Sequence, residues 1–399
     1  MVLQILPGDD GFFVDFDLNQ IFIPREQQED LFELNLNRWK NRIFAAESNG
    51  TLNNSPSPNN KIQGLVVLLY GRGGFGKSTL LRRYHEKVLQ QNLNPLLSKV
   101  FISNIVDWEF AAEGERGFFN LPESQEVDAN GYYKLLCKQL AIALKKHPKD
   151  FKEYQSSVKD IEKTQKQASG VLENLQKEDS YNWLRGLTVE TITAVIRYYV
   201  PPSKVLLDNP TVKLAANEVA KITQEQALQV RTRLHNKLGN KLDDYLDPAL
   251  RLGLALGYDL CEFSKNFPSL IFFDTYEEID EGDRLLRIIM GAAGLRVGWV
   301  IAGRDNLWSG LEQRKRKITM EYNYKDIVLS DRGLPINFNS DEVGAFTTGD
   351  IMNYFAQLCK KVHYKRSLPK ISEKEAALIY DVTQGVPLER RSSNTILGY

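Results

Sequence analysis

The segment Gly71-Arg72-Gly73-Gly74-Phe75-Gly76-Lys77-Ser78 matches the pattern G-x-x-x-x-G-K-[ST], and each residue type in it has a chemical use. Glycines let backbone N–H groups turn inward and approach phosphate oxygens with no Cβ in the way. The helix that follows, expected from Thr79, aims its N-terminal N–H groups and positive dipole end at the same anion. Lys77 is placed to reach the β- and γ-phosphates of a nucleotide, and the Ser78 hydroxyl to ligate Mg²⁺. The whole run, Gly71 to Thr79, is therefore read as a phosphate-binding loop for ATP or ADP.

Such a loop needs a second oxygen ligand for the metal. Leu270-Ile271-Phe272-Phe273-Asp274 is an apolar run ending in a carboxylate, the Walker B pattern. A buried strand of this kind delivers Asp274 to its carboxyl end, where ligands collect in open parallel sheets. Glu277, Glu278 and Asp280 follow closely. Glu277 is the first candidate to orient an attacking water and Glu278 the second. The competing account makes them acids favoured by a helix start. Trp299-Val300-Ile301-Ala302-Gly303-Arg304 is a further apolar strand ending in a cation. Arg304 is expected to sense a γ-phosphate or to steady the carboxylates after Asp274; the alternative is a surface arginine after a strand.

These residues require a parallel sheet to position them. Residues 65–70 form a continuous apolar run, as a strand buried on both faces does. Helix is expected over 79–90, strand over 100–106 and helix over 131–146. The same texture returns as helix 250–266, strand 269–274, helix 282–292, strand 297–303 and a fifth strand at 325–330. Upstream, residues 1–20 read as a short strand or ordered arm. A helix is expected over 26–46, with Leu31, Leu34, Leu36, Trp39 and Ile43 as its apolar stripe, before a polar linker at 47–62. Residues 148–250 are rich in Lys, Glu and Gln and broken at Pro201-Pro202 and Pro210. They read as a helical insertion with too few apolar residues for a large core of its own. The expected organisation is an α/β P-loop fold in five parts. They are an arm, helix and linker (1–62), the first core half (63–147), the insertion (148–250), the second core half (251–339) and a helical lid (340–399).

Composition narrows the partners. Lys plus Arg and Asp plus Glu both total 51, so the net charge is zero and no overall field draws the chain to nucleic acid. The basic run Arg314-Lys315-Arg316-Lys317 reads as an exposed turn. No apolar run reaches the ~20 residues that a spanning helix needs. Cys137, Cys261 and Cys359, and His85, His147, His235 and His363, are scattered without metal-ligand spacing. A reducing cytoplasm is the expected setting.

With these elements placed, the chain resembles the STAND branch of P-loop ATPases, the signal-transduction switches related to AAA+ and NACHT proteins. Phe22-Ile23-Pro24-Arg25-Glu26 is similar to the family's opening motif beside the adenine, with Pro24 where glycine is usual. Asp274-Thr275-Tyr276-Glu277 resembles the D-T-[FY]-E form of Walker B. Thr383-Gln384-Gly385-Val386-Pro387-Leu388 resembles the lid motif whose proline touches the nucleotide. The resemblance covers about 20–145 and 250–390 and adds Phe22, Ile23, Arg25 and Pro387 to the expected nucleotide contacts. Family members normally continue into a winged-helix domain whose histidine senses ADP; this sequence ends at Tyr399. The resemblance implies a slowly hydrolysing, ATP-driven switch in signalling or defence, with a protein partner or self-association. The alternative is a remodelling ATPase of the AAA+ kind.

Overall fold

A computed structural model describes residues 25–50, 61–94, 99–108, 129–199, 222–279, 282–304, 306–308, 324, 328, 330–331, 334–335, 338–361 and 371–384. Strands β1 (Val66–Tyr70), β2 (Phe101–Asp107), β3 (Ser269–Asp274), β4 (Val297–Ala302) and β7 (Phe338–Glu342) form one sheet in the order β2-β3-β4-β1-β7. Every neighbouring pair in it is parallel. Strands β5 (Ser330–Asp331) and β6 (Leu334–Pro335) make a separate two-stranded antiparallel ladder.

The sheet is covered on both faces, which is why its central strands are buried along almost their whole length and mostly apolar. Leu65, Val67, Leu69, Leu270, Phe272, Val300 and Ala302 face helices α1 (Glu26–Ser48) and α2 (Lys77–Asn92). Val66, Leu68, Ile271, Phe273, Trp299 and Ile301 face the other way. They share a core with α3 (Ala129–Ala143), the first half of α4 (Lys152–Leu175), α8 (Pro248–Phe263) and α9 (Gly282–Ala292). The alternation along each strand is the period of two that a pleated strand imposes.

Helix α1 is a layer of this core rather than a separate arm. Its buried apolar stripe is Phe32, Leu36, Trp39 and Ile43, while Leu31 and Leu34 are 41% and 46% exposed. Leu36, Trp39 and Ile43 are buried as expected and Leu31 and Leu34 are not: spacings of four, three and four hold one face, and Phe32 leads it. Phe32 stacks on Tyr84 of α2 with ring centroids 4.0 Å apart, and Trp39 Nε1 donates to the Leu295 carbonyl at 2.7 Å. Buried Glu29 pairs with Lys87 at 2.7 Å.

Among the described residues the fifth strand of the sheet is β7, and of the expected strand at 325–330 only Val328 and Ser330 are described. Of the latter segment, Val328 makes an isolated bridge to Ile62 and Ser330 begins β5. Phe338-Asn339-Ser340-Asp341-Glu342 has no apolar run, and as the edge strand beside β1 it needs none. It crosses the expected boundary between 339 and 340.

Residues 152–246 supply α4, α5 (Val189–Tyr199), α6 (Gln224–Leu238) and α7 (Lys241–Leu246). The expectation that these helices lack a core is corrected. Ala168, Leu172, Leu175, Leu184, Ile192, Ile196, Val230, Leu234, Leu238, Tyr245 and Leu246 form a cluster of their own. Helices α4 and α6 are polar on average but carry an apolar stripe, α5 is more apolar, and these faces converge. Helix α4 serves both cores: Tyr154 and Ile161 belong to the sheet's, Ala168 and Leu172 to the second. Asp259 of α8 accepts the Glu153 and Tyr154 N–H groups at 3.1 and 2.9 Å, capping α4 from another helix.

Helices α10 (Thr348–Lys361) and α11 (Glu373–Thr383) pack on each other near the carboxyl end. Among the described residues no helix is long and apolar enough to cross a membrane.

Candidate functional site

The carboxyl ends of β1, β3 and β4 lie side by side, because β4 sits between the other two. Each strand hands over directly to one of the expected site segments. After β1 comes the glycine-rich turn. Gly71, Gly74 and Gly76 have φ of +140°, +80° and +85°. At Gly71 a Cβ would come 2.6 Å from the Val343 carbonyl oxygen, so both the conformation and the closeness of the neighbouring chain require glycine. Gly76 is the left-handed N-cap of α2, which begins at Lys77.

Lys77 Nζ donates to the carbonyls of Gly71 and Arg72 at 2.9 and 2.8 Å, arching over the turn. Arg72, Gly73 and Thr79 are exposed; Gly74, Phe75, Gly76 and Ser78 are half-buried. Arg25 is tied to the same turn. Its Nη2 donates to the Phe75 carbonyl at 3.0 Å and to Gly344 at 2.9 Å, and its guanidinium lies 4.9 Å from the Phe346 ring centroid. Burial lowers the Arg25 pKa, with Asp350 opposing.

Ser78 and Asp274 are brought together. Ser78 Oγ donates to Asp274 Oδ1 at 3.0 Å across 196 positions of sequence. The Thr275 N–H donates to the same oxygen at 2.9 Å. Asp274 is 5% exposed, and this burial raises its carboxyl above the usual range; the Ser78 and Thr275 donors oppose the rise and nearby Asp107 adds to it. A hydroxyl and a carboxylate at this distance are an oxygen-only donor pair. They suit Mg²⁺, which takes one or two carboxylates and completes its shell with water and phosphate. Among the described residues no group of three or more His, Cys, Asp or Glu side chains could hold a metal by itself.

Glu277 and Arg304 also meet. Arg304 Nε lies 2.9 Å from Glu277 Oε1, and the Arg304 N–H donates to Oε2 at 3.0 Å. The Glu277 side chain is 7% exposed and that of Arg304 62%, so the cation caps the carboxylate from the solvent side. Gly303 makes room: a Cβ there would come within 3.2 Å of Glu277 Oε2. Arg304 also borders the turn, its Nε lying 3.9 Å from where a Gly73 Cβ would stand. Phe22, Ile23 and Pro387 lie outside the described residues, as do the Glu278 side chain and Arg314 to Lys317.

Several site neighbours were missed in the sequence. Asp107 accepts the Thr275 hydroxyl at 3.0 Å. It ends a strand as Asp274 does, though Ser103 and Asn104 interrupt the apolar run before it, and a carboxylate at a strand end was the available signal. Behind the site, the Tyr276 hydroxyl donates to Asp283 at 2.5 Å and lies 3.1 Å from the Tyr324 hydroxyl. Arg287 pairs with Asp283 at 2.8 Å and lies over the Tyr324 ring. Burial raises the Tyr276 pKa well above its usual value, with Asp283 adding, so the phenol stays a donor. This buried network fixes the start of the turn that carries Glu277. No sequence motif announces it, since its members come from three separate segments.

No model of a known protein family matches this chain, and no curated protein matches it.

Proposed function

We propose that this chain is a P-loop ATPase that binds Mg·ATP or ADP at the carboxyl edge of its sheet, hydrolyses ATP slowly and works as a STAND-like switch. The observation that carries the proposal is the meeting of Ser78 and Asp274, one residue from Lys77, beside a turn whose glycines hold positive φ. The roles follow from the geometry. Lys77, now bonded to backbone carbonyls, is the cation that exchanges those partners for phosphate oxygens. The N–H groups of Gly74 to Ser78 cradle the same phosphates, and Ser78 with Asp274 holds Mg²⁺. When bound, Mg²⁺ neutralises charge on the β- and γ-phosphate oxygens. Glu277 orients the attacking water, and its Arg304 clamp holds it in place. Arg25, bonded to the turn at Phe75, couples α1 to nucleotide occupancy.

The output of a switch is a changed partner. A protein partner or self-association fits an insertion with a core of its own, which presents a folded body outside the site.

The test is thermal denaturation with Mg·ATP and Mg·ADP. A ligand at a hundred times its Kd adds about 2.7 kcal/mol of stability, which raises Tm by a few degrees. Lys77→Ala is expected to abolish this rise with little change in the nucleotide-free Tm. A mutant that responds like wild type removes the turn from the site. Fast turnover stimulated by a protein or nucleic-acid substrate would favour a remodelling ATPase over a switch.

A further inference from the structure

The register of β2 on β3 sets Asp107 directly beside Asp274, so two carboxylates stand at adjacent strand ends. Thr275 lies between them and bonds to both: its hydroxyl donates to Asp107 Oδ1 at 3.0 Å and its N–H to Asp274 Oδ1 at 2.9 Å. Its φ is +53°. A β-branched residue in that region is a genuine outlier and persists only where its surroundings over-determine it. Lys145 and Gln384 are the other non-glycine residues with positive φ among those described. Both lie just past a helix end, where the left-handed conformation is ordinary. Thr275 follows a strand instead. The N–H lies in the peptide plane shared with Asp274 and meets that side chain, while the hydroxyl is held by Asp107, and the Asp107 bond opposes relaxation of the left-handed backbone.

On the reading of Asp274 as the carboxylate that holds Mg²⁺, we propose that Asp107 is a positioning residue for it, acting through Thr275. Asp107 holds the threonine hydroxyl, which locks the left-handed backbone. With the residue fixed there, its N–H stays on Asp274 Oδ1, and with the Ser78 hydroxyl on the same oxygen the carboxylate is held in one orientation. The role belongs to the hydrogen bond, not to the charge of Asp107.

Four substitutions separate these contributions. Asp107→Ala removes the acceptor; Asp107→Asn keeps an oxygen that accepts the same bond. Thr275→Val removes the hydroxyl from the other side; Thr275→Ser keeps it. The measurement is the Mg²⁺ concentration giving half-maximal ATP-induced rise in Tm, alongside the rise produced by ATP in EDTA. Loss of a residue that orients a metal ligand lowers metal affinity by about 10–100-fold. Asp107→Ala and Thr275→Val are therefore expected to raise the half-maximal Mg²⁺ concentration by about 10-fold or more. Their combination is expected to be no worse than either alone. Asp107→Asn and Thr275→Ser are expected to stay near wild type, and the EDTA arm to stay unchanged in all four. If Asp107→Ala fails to fold, the two threonine variants carry the test.

An unshifted Mg²⁺ requirement in folded Asp107→Ala or Thr275→Val overturns the proposal. So does an Asp107→Asn as impaired as Asp107→Ala, or additivity in the double variant. In each case wild type still responds to Mg·ATP and the nucleotide reading stands. A wild-type chain with no Mg²⁺-dependent response to ATP overturns both.

Discussion

At the scale of single residues, the Glu277–Arg304 contact separates stability from chemistry. An ion pair with one well-exposed partner contributes only about 0–1 kcal/mol, and Arg304 is 62% exposed. Glu277→Gln is therefore expected to leave the Tm and the nucleotide-induced shift nearly unchanged. A positioned base contributes about 10²–10⁴ in rate, so steady-state phosphate release is expected to fall at least about 100-fold. Full activity in Glu277→Gln would transfer the role to Glu278. Arg304→Ala leaves a carboxylate only 7% exposed without its cation and is expected to reduce turnover as well. The residues of this site were legible because their chemistry is tied to spacing: a lysine and a serine after glycines, and acids or a cation after apolar strands. Steadying a carboxylate after Asp274 was one of two roles expected of Arg304, and the contact with Glu277 is of that kind. That Arg304 clamps Glu277 rather than reaching elsewhere depends on β4 lying beside β3, which no local pattern encodes. Asp107 was missed for the same reason, since its meaning comes from the register that sets it opposite Asp274.

Among the elements, those with a strong period were readable and those that borrow their stability from neighbours were not. Strand β3 and helix α9 were expected at the bounds the structure has, because an apolar run between breakers and an amphipathic stripe are local signals. Strand β7 escaped because Phe338 to Glu342 is polar, and its place follows from pairing with β1. That pairing carries a testable consequence at the turn after β1. Val343, just past β7, donates its N–H to the Tyr70 carbonyl at 2.7 Å, which brings its own carbonyl within 2.6 Å of a Cβ at Gly71. Gly71→Ala must therefore push the chain after β7 away from β1 as well as strain its own φ. Gly76→Ala meets no atom within 4 Å and carries backbone strain alone. Strain of that kind costs about 1–3 kcal/mol. Calorimetry is expected to rank Gly71→Ala below Gly76→Ala in Tm; equal values would show that the contact at Val343 has no energetic weight. A second element-level consequence lies at the junction of α4 and α8. Asp259→Ala leaves the Glu153 and Tyr154 N–H groups without their cap, a loss of about 1 kcal/mol. Burial raises the Asp259 pKa against those same backbone donors. The folded state therefore holds this proton more tightly than the unfolded one, and this group's contribution to stability falls as pH rises through the window just above the usual carboxylate range. That part of the pH profile is expected to vanish in Asp259→Ala.

Among the described residues, the core on one face of the sheet and the core of the insertion are joined by one continuous helix, and this decides how the molecule comes apart. The Lys-, Glu- and Gln-rich texture of 148–250 conceals a second core because its apolar residues are spread over separate helices and only become a cluster once packed. Helix α4 enters the sheet's core with Tyr154 and Ile161 and the second core with Ala168, Leu172 and Leu175. Excising the whole of 150–245 would remove α4 and with it the cover that Tyr154 and Ile161 give the sheet's core, so a linker in its place is expected to destabilise the sheet half. Point truncations test the division more cleanly. Leu172 is fully buried and Ile161 nearly so. Truncating either to alanine costs about 2–5 kcal/mol. If the cores open as separate units, Leu172→Ala deepens hydrogen exchange in α5, α6 and α7 while β1, β3 and β4 keep their protection. The Mg·ATP-induced rise in Tm should then survive. Ile161→Ala, two to three turns earlier on the same helix, should instead loosen α8 and the strands beneath it and shrink the nucleotide response. The same exchange pattern from both substitutions would mean that α4 transmits opening along its length and that the two cores melt as one. In that case the helix itself is the path by which nucleotide at the sheet edge reaches the surface of the insertion.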